Sequence, residues 1–91
     1  MAMIAAWLSI TEDNVAPALQ EAGEKLDSAG GEVVLDFESV RRIDSRGLRA
    51  MAEFASLAEK NGVKVVLHGV SVDVYKVLKL VQLTPRFSFV S

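Results

Sequence analysis

The chain has 91 residues, 51% of them hydrophobic, and a formal net charge of −2; these values bound it to one small domain, residues 1–91, built around one core. It contains no cysteine and one histidine, which excludes disulfides, thiolate chemistry and a histidine-rich metal site, and no metal or cofactor is expected. The mildly acidic balance argues against nucleic acid as a partner, because that binding rests on a basic face that neutralises phosphates.

Residues 3–10 form an apolar run broken by Ser9, short and β-compatible, and are predicted as a first strand. Thr11, Asp13 or Asn14 can cap the helix that follows, in which Val15, Ala18, Leu19, Ala22 and Leu26 recur at the 3.6-residue period with Pro17 in the first turn. Ala29-Gly30-Gly31 ends that helix. Residues 32–37 are a compact apolar run with β-branched residues and no alternation, which predicts a central parallel strand covered on both faces.

A second helix is expected to begin near Ser45, to carry Leu48, Met51, Ala52, Ala55 and Ala58 toward the core, and to stop at Asn61-Gly62. Residues 63–68 predict another two-sided strand. After Gly69 comes a third amphipathic helix with Val70, Val74, Val77, Leu78 and Val81 on one face, ended by Pro85. Residues 87–90 add a last short strand at an edge. The order βαβαβαβ with short connections predicts an α/β fold with a mostly parallel β-sheet and helices mainly on one face.

The longest apolar runs, residues 3–8 and 63–67, fall far short of the roughly 20 residues that span a bilayer, so no direct membrane insertion is expected. No secretion signal is read, and a cytoplasmic location is the default. His68 ends an apolar strand with no second histidine or cysteine beside it, and reads as structural or loop-bonding. Trp7, Phe54, Tyr75, Phe87 and Phe89 read as core or edge packing. Glu12-Asp13 and Asp36-Glu38 look like cap and turn residues, and with no nucleophile, base and orienting group assembled the chain reads as a non-enzyme.

Function concentrates at Ile43-Asp44-Ser45-Arg46-Gly47-Leu48, where a strand empties into the start of a helix. Unpaired backbone N–H groups there attract carboxylates, hydroxyls or phosphate. Asp44 either holds the corner by accepting such N–H bonds or orients a neighbouring hydroxyl for phosphoryl transfer. Arg41, Arg42, Arg46 and Arg49 crowd the same corner. They are either a solvated basic edge or, through Arg46 and Arg49 on one helix face, a docking surface for an acidic partner or a bound anion.

Val33-Val34-Leu35-Asp36-Phe37, Val40, the residues 43–48 corner and Gly62-Val63-Lys64-Val65-Val66-Leu67 together resemble the STAS family (sulfate transporter and anti-sigma-factor antagonist). The resemblance runs from about residue 15 to residue 90 and continues through His68-Gly69-Val70-Ser71 with Val74, Leu78 and Leu83. It implies an anti-sigma-factor antagonist-like regulatory module with a protein partner. In the antagonists the corner commonly reads Asp-Ser-Ser-Gly, and the second serine is phosphorylated by the anti-sigma factor, itself a kinase.

Here Asp44, Ser45, Gly47 and Leu48 match that pattern, and the acceptor position is Arg46. The resemblance thus implies either a phosphoswitch-deficient, permanently partner-competent form or one in which Ser45 is the substitute acceptor, with Asp44, Ser45, Arg46, Gly47, Leu48 and Arg49 as the partner-binding set in both cases. The family usually opens with a two-strand hairpin, whereas residues 3–10 supply one strand. An uncovered strand edge is a pairing template, which makes a homodimer a further expectation. An alternative is the compact STAS subunit of a lipid-transport ABC complex, similar in Val66-Leu67-His68-Gly69-Val70 with Tyr75; its partner would be the ATPase subunit.

Overall fold

Among the described residues every strand pairs with its neighbour in sequence, and all pair in parallel. A computed structural model describes residues 5–26 and 31–90. In chain order these form β1 (Ala5–Thr11), α1 (Val15–Glu24), β2 (Glu32–Ser39), α2 (Ser45–Lys60), β3 (Lys64–His68), α3 (Val72–Leu80) and β4 (Ser88–Val90). The sheet order is β1-β2-β3-β4, so β1 and β4 are its edges. Residues 3–4 of the predicted first strand, and Ala29-Gly30 of the predicted stop, lie outside the described residues; β1 itself runs on to Thr11.

The helices all pack on one face. Leu19 and Ala22 of α1, Met51, Phe54, Ala55 and Ala58 of α2, and Val74 and Leu78 of α3 share one buried cluster with Val33, Leu35 and Phe37 of β2 and Val65 and Leu67 of β3. Tyr75 of α3 meets Phe89 of β4 edge to face, with ring centroids 5.2 Å apart. The opposite face carries Trp7, Val34, Asp36 and His68, and no helix covers it among the described residues.

This asymmetry corrects one reading from sequence. Burial alternates along β2, with Val33, Leu35 and Phe37 buried and Val34 and Asp36 half-buried, so β2 is covered on one face only. Its apolar composition hid that alternation, because Val34 is apolar yet faces the open side. β3 comes closer to the expectation, since Val65, Val66 and Leu67 are all buried.

The second and third helices end by the same device. At the end of α2 the Gly62 N–H donates to the Glu59 carbonyl and the Val63 N–H to the Ala58 carbonyl, with Gly62 at φ +67. At the end of α3 the Gln82 N–H donates to Lys79 and the Leu83 N–H to Leu78, with Gln82 at φ +61. Both are left-handed closures that satisfy the last carbonyls and bury the following hydrophobe. α3 therefore stops before Pro85, which opens a short 3₁₀ turn instead, and Val81 is 48% exposed rather than part of the buried face.

Gly62 is needed for its backbone and not for space, because a Cβ there would meet nothing within 4 Å. Gly62→Ala is expected to cost about 1 kcal/mol, the ordinary penalty of a side chain in the left-handed region. Urea unfolding should show a lower midpoint with an unchanged slope.

Candidate functional site

The corner between β2 and α2 is held from three directions. The Asp44 carboxylate accepts from the Gly47 N–H at 2.8 Å, and its carbonyl accepts from Leu48 at 2.9 Å. Asp44 is thus the N-cap of α2, and Ser45 is its first residue. Upstream, Glu12 Oε2 accepts from the backbone N–H groups of Arg41 (2.7 Å) and Arg42 (3.1 Å). From the far side, Ser71 caps α3 by accepting from the Val74 N–H at 3.1 Å, while its hydroxyl donates to the Arg41 carbonyl at 3.3 Å.

Glu12 was read from sequence as a cap or turn residue, and its role is longer in range. The two bonds cross 29 and 30 residues of chain, a link no local pattern signals. A carboxylate accepting two N–H groups makes strong bonds. Glu12→Ala is expected to leave the fold intact and to raise hydrogen exchange at the Arg41 and Arg42 amides about tenfold.

The six predicted partner-binding residues do not all face the same way. Asp44, Ser45, Arg46 and Arg49 are exposed, Leu48 is half-buried against the core, and Gly47 is buried. Gly47 packs inward instead. A Cβ there would stand 2.7 Å from Cγ1 of Ile43 and 3.3 Å from Cγ1 of Val15, so the glycine is what lets the first turn of α2 seat against α1. Arg46 and Arg49 have no ion-pair partner among the described residues.

The two arginines stand at one end of a groove of about 460 Å³ between α1 and α2. Its apolar lining includes Leu19, Ala50, Phe54 and Leu57, and Glu24 and Glu53 add acidic groups to its wall. Gly23 sets the groove's depth, because a Cβ there would lie 3.1 Å from Cδ1 of Leu57. Neither Gly23 nor the α1 wall was singled out from sequence as functional; the signal was small residues on facing helix surfaces.

A second cluster lies on the open face of the sheet. Asp36 and His68 stand opposite each other in the β2–β3 register, with His68 Nδ1 3.3 Å from Asp36 Oδ1. The Asp36 carboxylate also accepts from the Glu38 N–H at 3.1 Å. That backbone bond first, and then His68, hold the Asp36 carboxyl below the usual carboxylate range. Among the described residues Asp36, Glu38 and His68 form the group able to hold a metal ion. Elsewhere the bidentate Arg86 guanidinium, at 3.0 and 3.1 Å, holds the Glu59 carboxyl low and ties the last turn to α2.

A family model described as "Mlab, STAS domain" matches residues 9–85. The chain belongs to the STAS domain family. Solved STAS structures agree with it in fold. The Thermotoga maritima protein TM1081, provisionally assigned as an anti-sigma factor antagonist, superposes with a TM-score of 0.79 in its NMR structure at 16% identity. That match covers 99% of this chain and 78% of TM1081. Its crystal structure gives 0.71 at 19% identity, covering 98% and 74%.

A sulfate transporter family protein from Wolinella succinogenes gives a TM-score of 0.78 at 25% identity, covering 93% of this chain and 75% of that one. The STAS sheet and helices are thus those of both branches of the family name. No helix among the described residues is long and apolar enough to cross a membrane.

Proposed function

We propose that this STAS domain is a non-enzymatic regulatory module that docks an acidic protein surface at the start of α2, in the manner of an anti-sigma factor antagonist. The observation that carries the reading is the placement of Arg46 and Arg49, exposed and without ion pairs among the described residues, at the mouth of the α1–α2 groove. Charge at the mouth steers an acidic partner, and the apolar wall beyond it offers area to bury. Asp44 is occupied as a cap, so it serves the site by shaping it.

Arg46 removes the usual acceptor, and the proposed docking is constitutive. Ser45 is the one hydroxyl between residues 44 and 49, and a phosphate placed there would stand at a helix N-terminus beside Arg46 and Arg49. The partner proposed first is an anti-sigma factor of the kinase fold. A second reading, the STAS subunit of a lipid-transport ABC complex gripping its ATPase, is supported by the His68-Gly69-Val70 segment and the half-exposed Tyr75 beside it.

The deciding experiment takes the proteins encoded beside this gene and measures their binding to the purified STAS domain by calorimetry. Binding of a kinase-fold anti-sigma factor, lost in Arg46→Glu/Arg49→Glu, supports the first reading. Binding of an ABC ATPase subunit with the same sensitivity supports the second. Binding that is indifferent to both arginines removes the corner as the interface.

A further inference from the structure

The open face of the sheet carries a donor set that the docking function leaves unused. Asp36 is the last half-buried residue of β2 on the open face, His68 ends β3, and Glu38 follows two residues after Asp36. One imidazole nitrogen and two carboxylate oxygens come within 4.8 Å of one another. They lie at the carboxyl ends of adjacent parallel strands, the end of an α/β sheet at which ligands ordinarily bind.

The spacing favours a particular kind of ion. Two ligands held at about 2.0–2.1 Å by a tetrahedral ion stand roughly 3.3–3.4 Å apart, and His68 Nδ1 is 3.3 Å from Asp36 Oδ1. Glu38 is exposed and its carboxylate takes part in no bond or ion pair among the described residues, so its side chain is free to swing in.

Charge points the same way. Neither carboxylate has a lysine or arginine partner among the described residues, and two carboxylates, one neutral imidazole and one divalent cation sum to zero. The backbone supports the set as well. The Glu38 N–H fixes the Asp36 carboxylate at 3.1 Å, the kind of supporting bond that orients metal ligands. Gly69, at φ +71, leaves the space beside Glu38 that a Cβ would fill.

We infer that Asp36, Glu38 and His68 form a binding site for a zinc-class divalent cation on the open face of the sheet, with water as the fourth ligand. The site is distinct from the α2 corner, and its test does not depend on any protein partner. The chain supplies its own reporter, because its one tryptophan, Trp7, lies against its one histidine with ring centroids 5.2 Å apart.

Tag-free protein titrated with Zn²⁺ is expected to show one-to-one binding by calorimetry, a saturating change in Trp7 fluorescence and a shift of the His68 imidazole proton resonances. Co²⁺ in its place should give the visible absorption of a tetrahedral site. His68→Gln, which keeps a side chain able to bond Asp36, and Glu38→Gln are each expected to weaken Zn²⁺ binding at least about tenfold. Glu21→Gln, on α1 across the sheet from the site, should leave it unchanged. The inference is overturned if wild type shows no saturable one-to-one binding, or if His68→Gln, folded by circular dichroism, binds Zn²⁺ as tightly as wild type.

Discussion

Arg46→Glu/Arg49→Glu is expected to weaken partner binding by at least about 100-fold, equivalent to roughly 2.7 kcal/mol, while leaving the fold as stable as before or slightly more so. The two effects have opposite signs for one reason. Both guanidinium groups stand in the first turns of α2, where the helix dipole disfavours cations, and neither is offset by an ion pair among the described residues. Replacing them with carboxylates favours the isolated helix by a few tenths of a kcal/mol up to about 1 kcal/mol.

Against an acidic partner the same replacement turns attraction into repulsion at the mouth of the groove. Calorimetric binding and a thermal melt on the same sample separate the outcomes. Lost binding with a preserved or raised Tm places the arginines at the interface, whereas lost binding with a lowered Tm assigns them a structural role. Because the groups are exposed, wild-type affinity should also fall as salt is raised from 50 to 500 mM, and the double variant should lose that dependence. Arg46→Ser restores the Asp-Ser-Ser-Gly pattern of the antagonists and should make the corner a kinase substrate if the switch was lost at that position alone.

Phe54→Ala is expected to be the most damaging single truncation on α2, costing about 3–5 kcal/mol. Phe54 is 2% exposed, sits in the cluster shared by helices and sheet, and lines the floor of the α1–α2 groove. A chain of 91 residues has a total stability of about 5–14 kcal/mol at ordinary values per residue, so the variant loses between about a fifth of it and all of it. Urea unfolding at 25 °C measures the loss directly. A cost under about 1 kcal/mol would mean that α1 and α2 repack readily over the gap, against the close approach that Gly23 and Gly47 permit.

The helices and the order of elements along the chain were legible because hydrophobic period and caps agree with the final packing. Ser45 starts α2 and Gly62 closes it, as expected of the residues around them. What escaped was set by pairs distant in sequence. Glu12 reaches the Arg41–Arg42 backbone only because β1 and β2 are adjacent. Asp36 and His68, 32 residues apart, meet only through the β2–β3 register.

The one-sided covering of β2 escaped for a different reason: an apolar residue such as Val34 on an uncovered face is invisible to hydrophobicity alone. At the corner, Asp44 as a cap follows from residue type, but the burial of Gly47 depends on Ile43 and Val15 crowding its Cα, and spacing does not report it.

The sequential order of the sheet bears on how the molecule is made. Since, among the described residues, β2 pairs only with β1 and β3, and β4 only with β3, no described strand must wait for a distant later segment to slot between earlier neighbours. The sheet can grow by accretion as the chain leaves the ribosome, each helix sealing the layer before it. Three-residue β4 pairs with β3 at an edge, so its loss would leave the β1-β2 and β2-β3 pairings intact. Such local connectivity favours rapid assembly for a parallel sheet, a class otherwise slowed by distant pairings.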